Sequence, residues 1–381
     1  MKTDLLKGFR DYSEEEAKKR AEVKKVLIDV FEKYGFEPAE TPIIEPEEFV
    51  KGTNTQDEAV SDIYRLEDKG KRKLALRYEF TFQLKRLIKN KKLPYKRYQI
   101  GEVFRDEPTS SNRFRQFTQF DIDIISSTIK DDAEILVITK KVFEELKIPN
   151  KIFVGNRKLL NEIFDEQKID KKNKSQVLRE IDKLDKLPEK KIRENLKKLK
   201  SEKILTLLKK PEAYFKKYKS YSEIEELKKY CAYYGVKIIF QPSLTRGLSY
   251  YSGNVFEVKS TMKETICAGG SYPINDITCT GISFGLDRII GLADIKIKNE
   301  EFLVISIDKE RDSIKLAEKL RKQGQKVGIY YGKPSRALEY ANSKKIKSVI
   351  FVGKKEVTSG KFKVKDMESG LERFEEFWLF L

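Results

Sequence analysis

The sequence predicts an α/β protein, and three patterns support that expectation. Residues 98–125 contain two apolar runs on either side of a polar loop with a proline and two serines, which is typical of a β-hairpin. Residues 13–34 space their apolar side chains as an amphipathic helix does. Beyond residue 301, strand-like and helix-like segments alternate, which favours a compact domain with a parallel or mixed sheet.

Composition limits the classes of protein to which the chain can belong. Its 381 residues allow two or three domains, and no apolar run is long enough to cross a membrane. The first eight residues lack the apolar core of a signal peptide, and the three cysteines are too scattered for a disulfide framework or a Cys-x-x-Cys metal site. We therefore expect a cytoplasmic protein with buried thiols.

Net charge and histidine content limit the functions that the protein can have. The net charge of +18 suits a polyanionic partner, RNA or DNA, although a lysine-rich proteome gives the same balance. The chain contains no histidine. This excludes Ser-His-Asp and Cys-His catalysis, zinc sites with histidine ligands and a histidine general base.

Local signals define the elements before the hairpin. Ser13 and Glu16 have the spacing of a capping box at the start of the first helix, and Gly35 stands where that helix ends. Two prolines within residues 36–45 indicate an edge or terminal strand rather than a central one.

The next segment offers a first candidate site. Residues 73–84 indicate a strand that turns into a helix near Thr81, which puts Glu79 and Thr81 on one face. The two residues fit a ligand site, and they fit equally an ordinary helix cap with an acidic first turn.

The predicted hairpin carries a second candidate site. Its second strand alternates with a period of two, so that Gln119, Asp121 and Asp123 share one face, and its first strand ends at Arg105. The pattern fits a half-buried strand with a solvated face, or a cleft for a charged, polar small substrate. The opposite face of that strand carries Phe120, Ile122 and Ile124.

A basic helical insertion occupies about residues 156–234, after a further amphipathic helix at 133–146. Between residues 181 and 220 it has 14 basic and six acidic side chains. This composition fits a solvated helical face or a surface that contacts phosphates.

The strands after the insertion end in a glycine motif. Gly281 and Gly285 precede a helix that carries Arg288, so that a backbone or a ligand can approach closely there. A polar break at 296–301 then separates the last domain.

These segments resemble the histidyl-tRNA synthetases, a family of class II aminoacyl-tRNA synthetases, over essentially the whole chain. Residues 35–44 are similar to the class II dimer-interface motif, residues 103–117 to the second class II motif and residues 281–288 to the third. Residues 244–251, Leu-Thr-Arg-Gly-Leu-Ser-Tyr-Tyr, resemble the histidine-specific signature of the family, and residues 76–81 support that match.

The resemblance implies a fold and an activity. It implies an α+β catalytic domain, residues 1–297, with an antiparallel sheet flanked by helices and interrupted by the insertion, and an α/β anticodon-binding domain, residues 301–381. The implied reaction is ATP-dependent ligation of L-histidine to tRNA(His) through a histidyl-adenylate, with release of AMP and diphosphate. A homodimer that uses Mg²⁺ with ATP is also implied.

The roles of individual residues are implied at positions that match the family. Arg105 and Arg246 would act on the α-phosphate as the catalytic pair, and Arg105, Arg113 and Arg288 would bind ATP. Asp123 and Tyr251 would contact the imidazole nitrogens. The histidine-binding set is Glu79, Phe80, Thr81, Gln119, Asp123, Arg246, Tyr250 and Tyr251. The metal ligands stay open, with Glu107 and Glu257 as candidates.

The chain also departs from the family at several positions. Ser249 stands where the family has Asp, Ser271 and Pro273 stand where it has Arg and Asp, and Asp287 replaces Glu. We expect the losses at 249 and 271 to be coupled, because removing both members of an ion pair avoids a lone buried charge.

Two alternative functions remain. A non-catalytic paralogue, such as the regulatory subunit that assists ATP phosphoribosyltransferase, would have lost the substrate arginines and the last domain. An RNA-binding module would explain the charge of +18, but it would not need a polar cleft for a small molecule.

Overall fold

The computed structural model describes residues 3–51, 62–110, 113–185, 187–245, 250–260, 265–295 and 302–376. The chain divides into two compact units, Met1–Ile295 and Lys296–Leu381. The strands of the first unit are β1 (Glu37–Pro38), β2 (Ile44–Pro46), β3 (Arg65–Glu67), β4 (Lys73–Leu76), β5 (Tyr95–Phe104), β6 (Gln116–Ile125), β7 (Lys151–Asn156), β8 (Ile238–Phe240), β9 (Asn254–Lys259), β10 (Thr265–Ile274) and β11 (Ile277–Gly285).

The helices of the first unit alternate with these strands. They are α1 (Glu14–Lys33), α2 (Glu47–Lys51), α3 (Thr81–Leu87), α4 (Ile129–Glu145), α5 (Arg157–Glu166), α6 (Lys171–Asp182), α7 (Glu189–Lys198), α8 (Lys203–Leu207), α9 (Tyr221–Tyr233) and α10 (Leu286–Leu292). In the described ranges, none of the helices combines the length and the apolar character that crossing a membrane requires.

The large sheet has eight strands in the order β1-β5-β6-β11-β10-β9-β7-β8. The six central strands are antiparallel, and β1 and β8 add parallel edges. One face packs against α1 and α4: the rings of Phe31 and Phe143 lie 5.7 and 6.1 Å from that of Phe284. The predicted hairpin, antiparallel sheet and edge strand are therefore confirmed.

The insertion is helical, as predicted, and it shares the core of the sheet. Val177, Leu196 and Phe215 belong to the same continuous buried cluster as Phe120 and Phe256 of the central strands. The insertion therefore packs as part of the first unit.

The start of α1 differs from the capping-box prediction. The Ser13 side chain makes no cap hydrogen bond, and Glu16 pairs instead with Arg10 at 3.1 Å. A charged partner in the preceding segment competes for this carboxylate, which the spacing rule does not consider. At the other end Gly35 has φ of 76° and its N–H donates to Glu32 O, as predicted.

A small sheet in the order β2-β4-β3 stands apart from the large one. Near and within it, Ile43, Ile44 and Leu66 are 43%, 50% and 40% exposed. Such a group of exposed aliphatic side chains is typical of a surface that another protein covers.

The second unit is a mixed five-stranded sheet in the order β13-β12-β14-β15-β16, which confirms the predicted α/β class. Its final hairpin had not been predicted. The elements are β12 (Phe302–Ser306), α11 (Glu310–Lys322), β13 (Val327–Tyr331), α12 (Pro334–Ser343), β14 (Ser348–Val352), α13 (Lys354–Ser359), β15 (Lys361–Asp366) and β16 (Glu372–Glu376). Alternate residues of β12 and β14 pack against α11 on one face and α12 on the other.

Candidate active site

A polar region occupies the centre of the large sheet, on the face opposite to α1 and α4. Gln119, Asp121 and Asp123 of β6 lie there, and they are only 7%, 6% and 4% exposed. The alternative of a strand with a solvated face is therefore wrong. In the antiparallel register Arg97 and Gln99 of β5 stand opposite Asp123 and Asp121. The sheet thus gathers a charged and amide-bearing row away from bulk water.

Asp123 is held from two sides. Arg97 Nη2 lies 2.8 Å from Asp123 Oδ2, and the hydroxyl of Tyr272 on β10 donates to Oδ1. Burial raises the pKa of Asp123, while the Arg97 charge and the Tyr272 hydrogen bond act against that rise. Gly281 is required beside it, because a Cβ at 281 would overlap the Asp123 carboxylate and come within 2.7 Å of Ile122 O.

Asp121 is the centre of a second group. Ser283 Oγ donates to Asp121 Oδ1 at 2.6 Å, and Gln119 Nε2 donates to Ser283 Oγ at 2.5 Å. Burial raises the pKa of Asp121 to about 7, with Asp123 adding to the rise and Arg97 opposing it. Asp121 therefore titrates near neutral pH within the row.

Glu79 caps α3. Its carboxylate accepts the backbone N–H of Thr81 at 2.7 Å and of Phe82 at 2.8 Å from the position before the N-cap, Phe80. The cap of the helix-cap alternative is therefore confirmed, whereas its acidic first turn is wrong, because the first turn of α3 has no acidic side chain. Glu79 is 5% exposed, and burial raises its pKa against these hydrogen bonds. Phe80 is fully buried, and its carbonyl accepts from Arg97 Nη2 at 3.2 Å. The segment before α3 is thus joined to the Arg97–Asp123 pair.

A cluster of aromatic rings reaches this pair through Tyr272. The ring of Tyr250 lies 4.8 Å from that of Tyr251 and 5.5 Å from that of Tyr272, and Phe82 lies 6.5 Å from Tyr250. Burial raises the pKa of the Tyr250 hydroxyl well above its ordinary value. Because Tyr272 also contacts Asp123, the predicted residues Asp123, Tyr250 and Tyr251 lie in one neighbourhood.

Two of the three predicted ATP-binding arginines, Arg105 and Arg113, lie close together. Arg113 Nε is 2.9 Å from Glu107 Oε2 and Arg105 Nη1 is 3.8 Å from Glu107 Oε1, so the two share one carboxylate. Arg105 Nε also donates to Tyr78 O at 3.2 Å. Arg288 Nη1 donates to Thr265 O at the start of β10. Arg246, with residues 247–249, lies outside the described residues.

The positions that depart from the family have partners of their own. Ser271 Oγ donates to Asp132 on α4 at 3.0 Å, and Asn254 Nδ2 donates to the same carboxylate at 2.8 Å. Burial raises the pKa of Asp132 to about 6. Asp287 pairs with Arg20 at 2.5 Å. The predicted coupling of Ser271 to Ser249 stays a prediction, because Ser249 is outside the described residues.

Sequence reasoning missed Arg97 and Tyr272 and gave Asp121 no role. The available signal was the alternation of β5, where Arg97 and Gln99 fall on the face that also receives Asp121 and Asp123. In a chain with 79 lysines and arginines, one more arginine in a strand does not stand out.

Comparisons with known proteins identify a family. A family model described as "Histidyl-tRNA synthetase" matches residues 8–289, and one described as "Anticodon binding domain" matches residues 301–377. "Histidine--tRNA ligase" of Wolinella succinogenes is 34% identical over 418 residues, 96% of this chain and 94% of that protein. "Histidine--tRNA ligase 2" of Shouchella clausii is 31% identical over 417 residues, 98% of each chain.

Solved structures share the fold. The histidyl-tRNA synthetase from Nostoc sp. PCC 7120 superposes with a TM-score of 0.86 at 24% identity, covering 99% of this chain and 97% of that one. A protein from Bacillus halodurans described as "ATP phosphoribosyltransferase regulatory subunit/histidyl-tRNA synthetase" gives 0.80 at 19% identity, over 92% and 98%.

Proposed function

The chain belongs to the histidyl-tRNA synthetase family of class II aminoacyl-tRNA synthetases, enzymes that attach histidine to tRNA, and from that premise we propose its mechanism. The histidine carboxylate attacks the α-phosphate of ATP, which forms histidyl-adenylate and releases diphosphate. The terminal ribose hydroxyl of tRNA(His) then attacks the carbonyl carbon of the adenylate, and AMP leaves. The observation that carries the proposal is the buried row of Gln119, Asp121 and Asp123 in the centre of the sheet.

The amino-acid pocket follows from that row. Burial raises the pKa of Asp123, and Arg97 and Tyr272 oppose that rise and so favour its carboxylate form. In that form Asp123 accepts one imidazole N–H, and Tyr251 contacts the other ring nitrogen. Tyr250 and Phe80 line the pocket.

The ammonium group of histidine binds at the other end. Glu79, Thr81 and Gln119 contact it. Glu79 already accepts backbone hydrogen bonds from Thr81 and Phe82 and a side-chain hydrogen bond from Thr81. A carboxylate has about four lone-pair sites, so one acceptor site is left for this contact.

The nucleotide binds through arginines and Mg²⁺. A phosphate of ATP replaces Glu107 as the partner of Arg113, Arg105 and Arg246 hold the α-phosphate, and Arg288 holds the γ-phosphate. Among the described residues no group of three or more His, Cys, Asp and Glu side chains could hold a metal ion. Mg²⁺ that arrives with ATP needs only one or two carboxylates, so Glu107 and Glu257 fit as candidate ligands. Bound there, Mg²⁺ would neutralise phosphate charge.

This chemistry suits a chain without histidine. Attack on phosphorus needs alignment and positive charge where negative charge develops, and arginines supply both. In the second step the adenylate phosphate itself accepts the proton of the ribose hydroxyl.

We assign tRNA to two surfaces. The second domain, residues 301–381, reads the anticodon, and the insertion at about 156–234 of the catalytic domain, residues 1–297, contacts the acceptor arm. Exposed Lys197, Lys198 and Lys210 support the latter.

The small sheet and the family also suggest an assembly and a location. Ile43 and Ile44 form part of a homodimer interface, because their exposed aliphatic side chains lie in the segment similar to the class II dimer motif. Exposed Leu66 of β3, in the small sheet, extends this surface. The enzyme acts in the cytoplasm.

The alternatives are less favoured. A regulatory paralogue would have lost the substrate arginines, whereas the sequence retains Arg105, Arg246 and Arg288. It would also not need the anticodon-domain match over residues 301–377. A pure RNA-binding module would not need a buried carboxylate row.

Histidine-dependent exchange of labelled diphosphate into ATP tests the proposal. We expect exchange with histidine, and none with other amino acids at the same concentration. Tight tRNA binding without any exchange would contradict the proposal and favour the RNA-binding module.

A further inference from the structure

Arg97 is the most deeply buried charged residue of the pocket. Its exposure is 0%, and it is among the largest fully buried side chains of the described chain. One guanidinium nitrogen, Nη2, contacts both Asp123 Oδ2 at 2.8 Å and Phe80 O at 3.2 Å. A single side chain therefore connects β6 to the segment before α3.

The charges around Arg97 are unbalanced. Burial lowers its pKa, but Asp123, Asp121, Tyr272 and Glu79 outweigh that effect and raise the pKa above the ordinary value. The three carboxylates in this group are all buried. Removing the guanidinium would therefore leave them facing one another without this cation.

Several polar atoms near Arg97 have no hydrogen-bond partner among the described residues. They include Arg97 Nε and Nη1 and the side-chain oxygens of Gln99 and Gln119. Buried donors and acceptors are normally satisfied, so a group of orphaned ones on one sheet face indicates a pocket that a polar ligand and its water complete.

We propose that Arg97 is a specificity-determining positioning residue for the amino acid: it fixes the distance between the imidazole-binding carboxylate of Asp123 and the ammonium-binding segment Glu79–Thr81. This inference rests on the proposed function. Arg97 has no exposed surface and acts through Asp123 and Phe80. Lysine replaces it only in part, because its ammonium group is a point charge on a flexible stem, whereas the planar guanidinium of Arg97 holds Nη2 in a fixed orientation.

Arg97→Met keeps most of the side-chain volume and removes the charge. We expect the KM for histidine to rise about 10- to 100-fold, as when a side chain that orients a ligand-binding group is lost. The KM for ATP should change less than threefold. Arg97→Lys should show the same selective rise, only smaller.

A matched control separates this role from general stability. Arg86 pairs with buried Glu45 through two hydrogen bonds of 2.7 and 3.0 Å, outside the pocket. Arg86→Met should lower the melting temperature and leave the KM for histidine unchanged. A histidine KM within threefold of wild type in folded Arg97→Met would overturn the proposal.

A double variant guards against misfolding and adds a second readout. Asp123→Asn removes the lone charge, so Arg97→Met with Asp123→Asn should regain stability while the histidine KM stays high. In Arg97→Met alone, Asp123 loses the charge that lowers its pKa, so its carboxylate is protonated at a higher pH. As the pH falls, histidine binding should therefore begin to weaken at a higher pH than in wild type. Recovery of both stability and KM in the double variant would contradict the inference.

Failure of the proposed function would look different. Wild-type protein would then show no histidine-dependent exchange, and calorimetric titration with histidine would still test Arg97. Equal histidine affinity of wild type and Arg97→Met, or no affinity in either, would reject the inference.

Discussion

The centre of the sheet and the helical insertion both contain close charge pairs, but burial gives them different consequences. Arg97 and Asp123 are 0% and 4% exposed at 2.8 Å, whereas the Lys209 and Glu189 side chains are 63% and 37% exposed at 2.6 Å. Water and salt screen the exposed pair, which therefore contributes little to stability. Losing one partner of a buried pair costs about 3–5 kcal/mol. Burial, and not the distance between the charged atoms, therefore determines how much the loss of either ion pair would cost in stability.

The largest expected effect tests the buried side. Asp123→Ala removes the acceptor for the imidazole N–H, so the KM for histidine should rise by up to about 10⁴-fold while ATP binding changes little. Asp165 on α5, 67% exposed and paired with Lys174 at 2.6 Å, provides the control. Asp165→Ala should leave both KM values unchanged in steady-state exchange assays. An unaltered histidine KM in Asp123→Ala would remove Asp123 from the pocket.

A second test concerns an arginine whose role rests on sequence. Arg246→Lys keeps the charge and loses the fork that meets two oxygens, so the adenylation rate should fall by about 10²–10³, roughly 3–4 kcal/mol. Single-turnover formation of the adenylate measures it. Arg193→Lys, at an exposed pair of 2.8 Å with Glu189, is the matched control. A rate within threefold of wild type at Arg246→Lys would exclude it from the mechanism.

Asp132 sharpens the comparison, because it is a buried carboxylate whose described hydrogen bonds come from neutral groups, Ser271 and Asn254. Burial raises its pKa to about 6, above about 3.9 in the unfolded chain. The folded state therefore binds the extra proton, and stability is lost as pH rises through about 6. Between about pH 4 and about pH 7 the loss is on the order of 2 kcal/mol.

Asp132→Asn should abolish that contribution. In urea unfolding, the stability of the variant relative to wild type should improve by the same order between the two pH values. A difference that does not depend on pH would show that Asp132 is ionised in the fold at both.

The smallest effects belong to the insertion. Neutralising Lys197, Lys198, Lys209 and Lys210 should weaken tRNA binding and flatten its salt dependence by up to about 0.9 per lost phosphate contact, while diphosphate exchange persists. Lys209→Gln alone should leave the urea midpoint of unfolding almost unchanged, because its partner Glu189 is exposed. An unchanged salt slope would mean that this face is only solvated.

Sequence patterns predicted the fold well where periodicity is local. The alternation of β6 and the spacing of α1 are properties of neighbouring residues, and both elements formed as predicted. The capping box at Ser13 failed because Arg10 attracts Glu16, a competition that a spacing rule does not weigh. The β15–β16 hairpin was missed although Phe362 and Val364 alternate with charged residues in β15. Only five residues separate the two strands, and β16 has Phe374 as its one apolar residue among charged ones, so it gives no apolar period of its own.

The candidate site was predictable only in part. Glu79, Gln119 and Asp123 follow from motifs, but the partners that set their charge, Arg97 and Tyr272, come from other strands through sheet register. Tertiary packing decides which of the many arginines is buried, and local sequence patterns do not predict that choice.

The insertion and the large sheet share one buried cluster, and this limits how far the insertion can be treated as a separate module. Residues 156–234 look like an optional module in the sequence, yet Leu196 and Phe215 belong to the same buried cluster as the central strands, and Phe215 lies 5.4 Å from Phe240 of β8. Excision of this segment would leave the ring of Phe240 and the neighbouring apolar surface of the sheet open to water. The insertion therefore cannot be grafted or deleted as a cassette, and variation in length is best tolerated in its exposed turns.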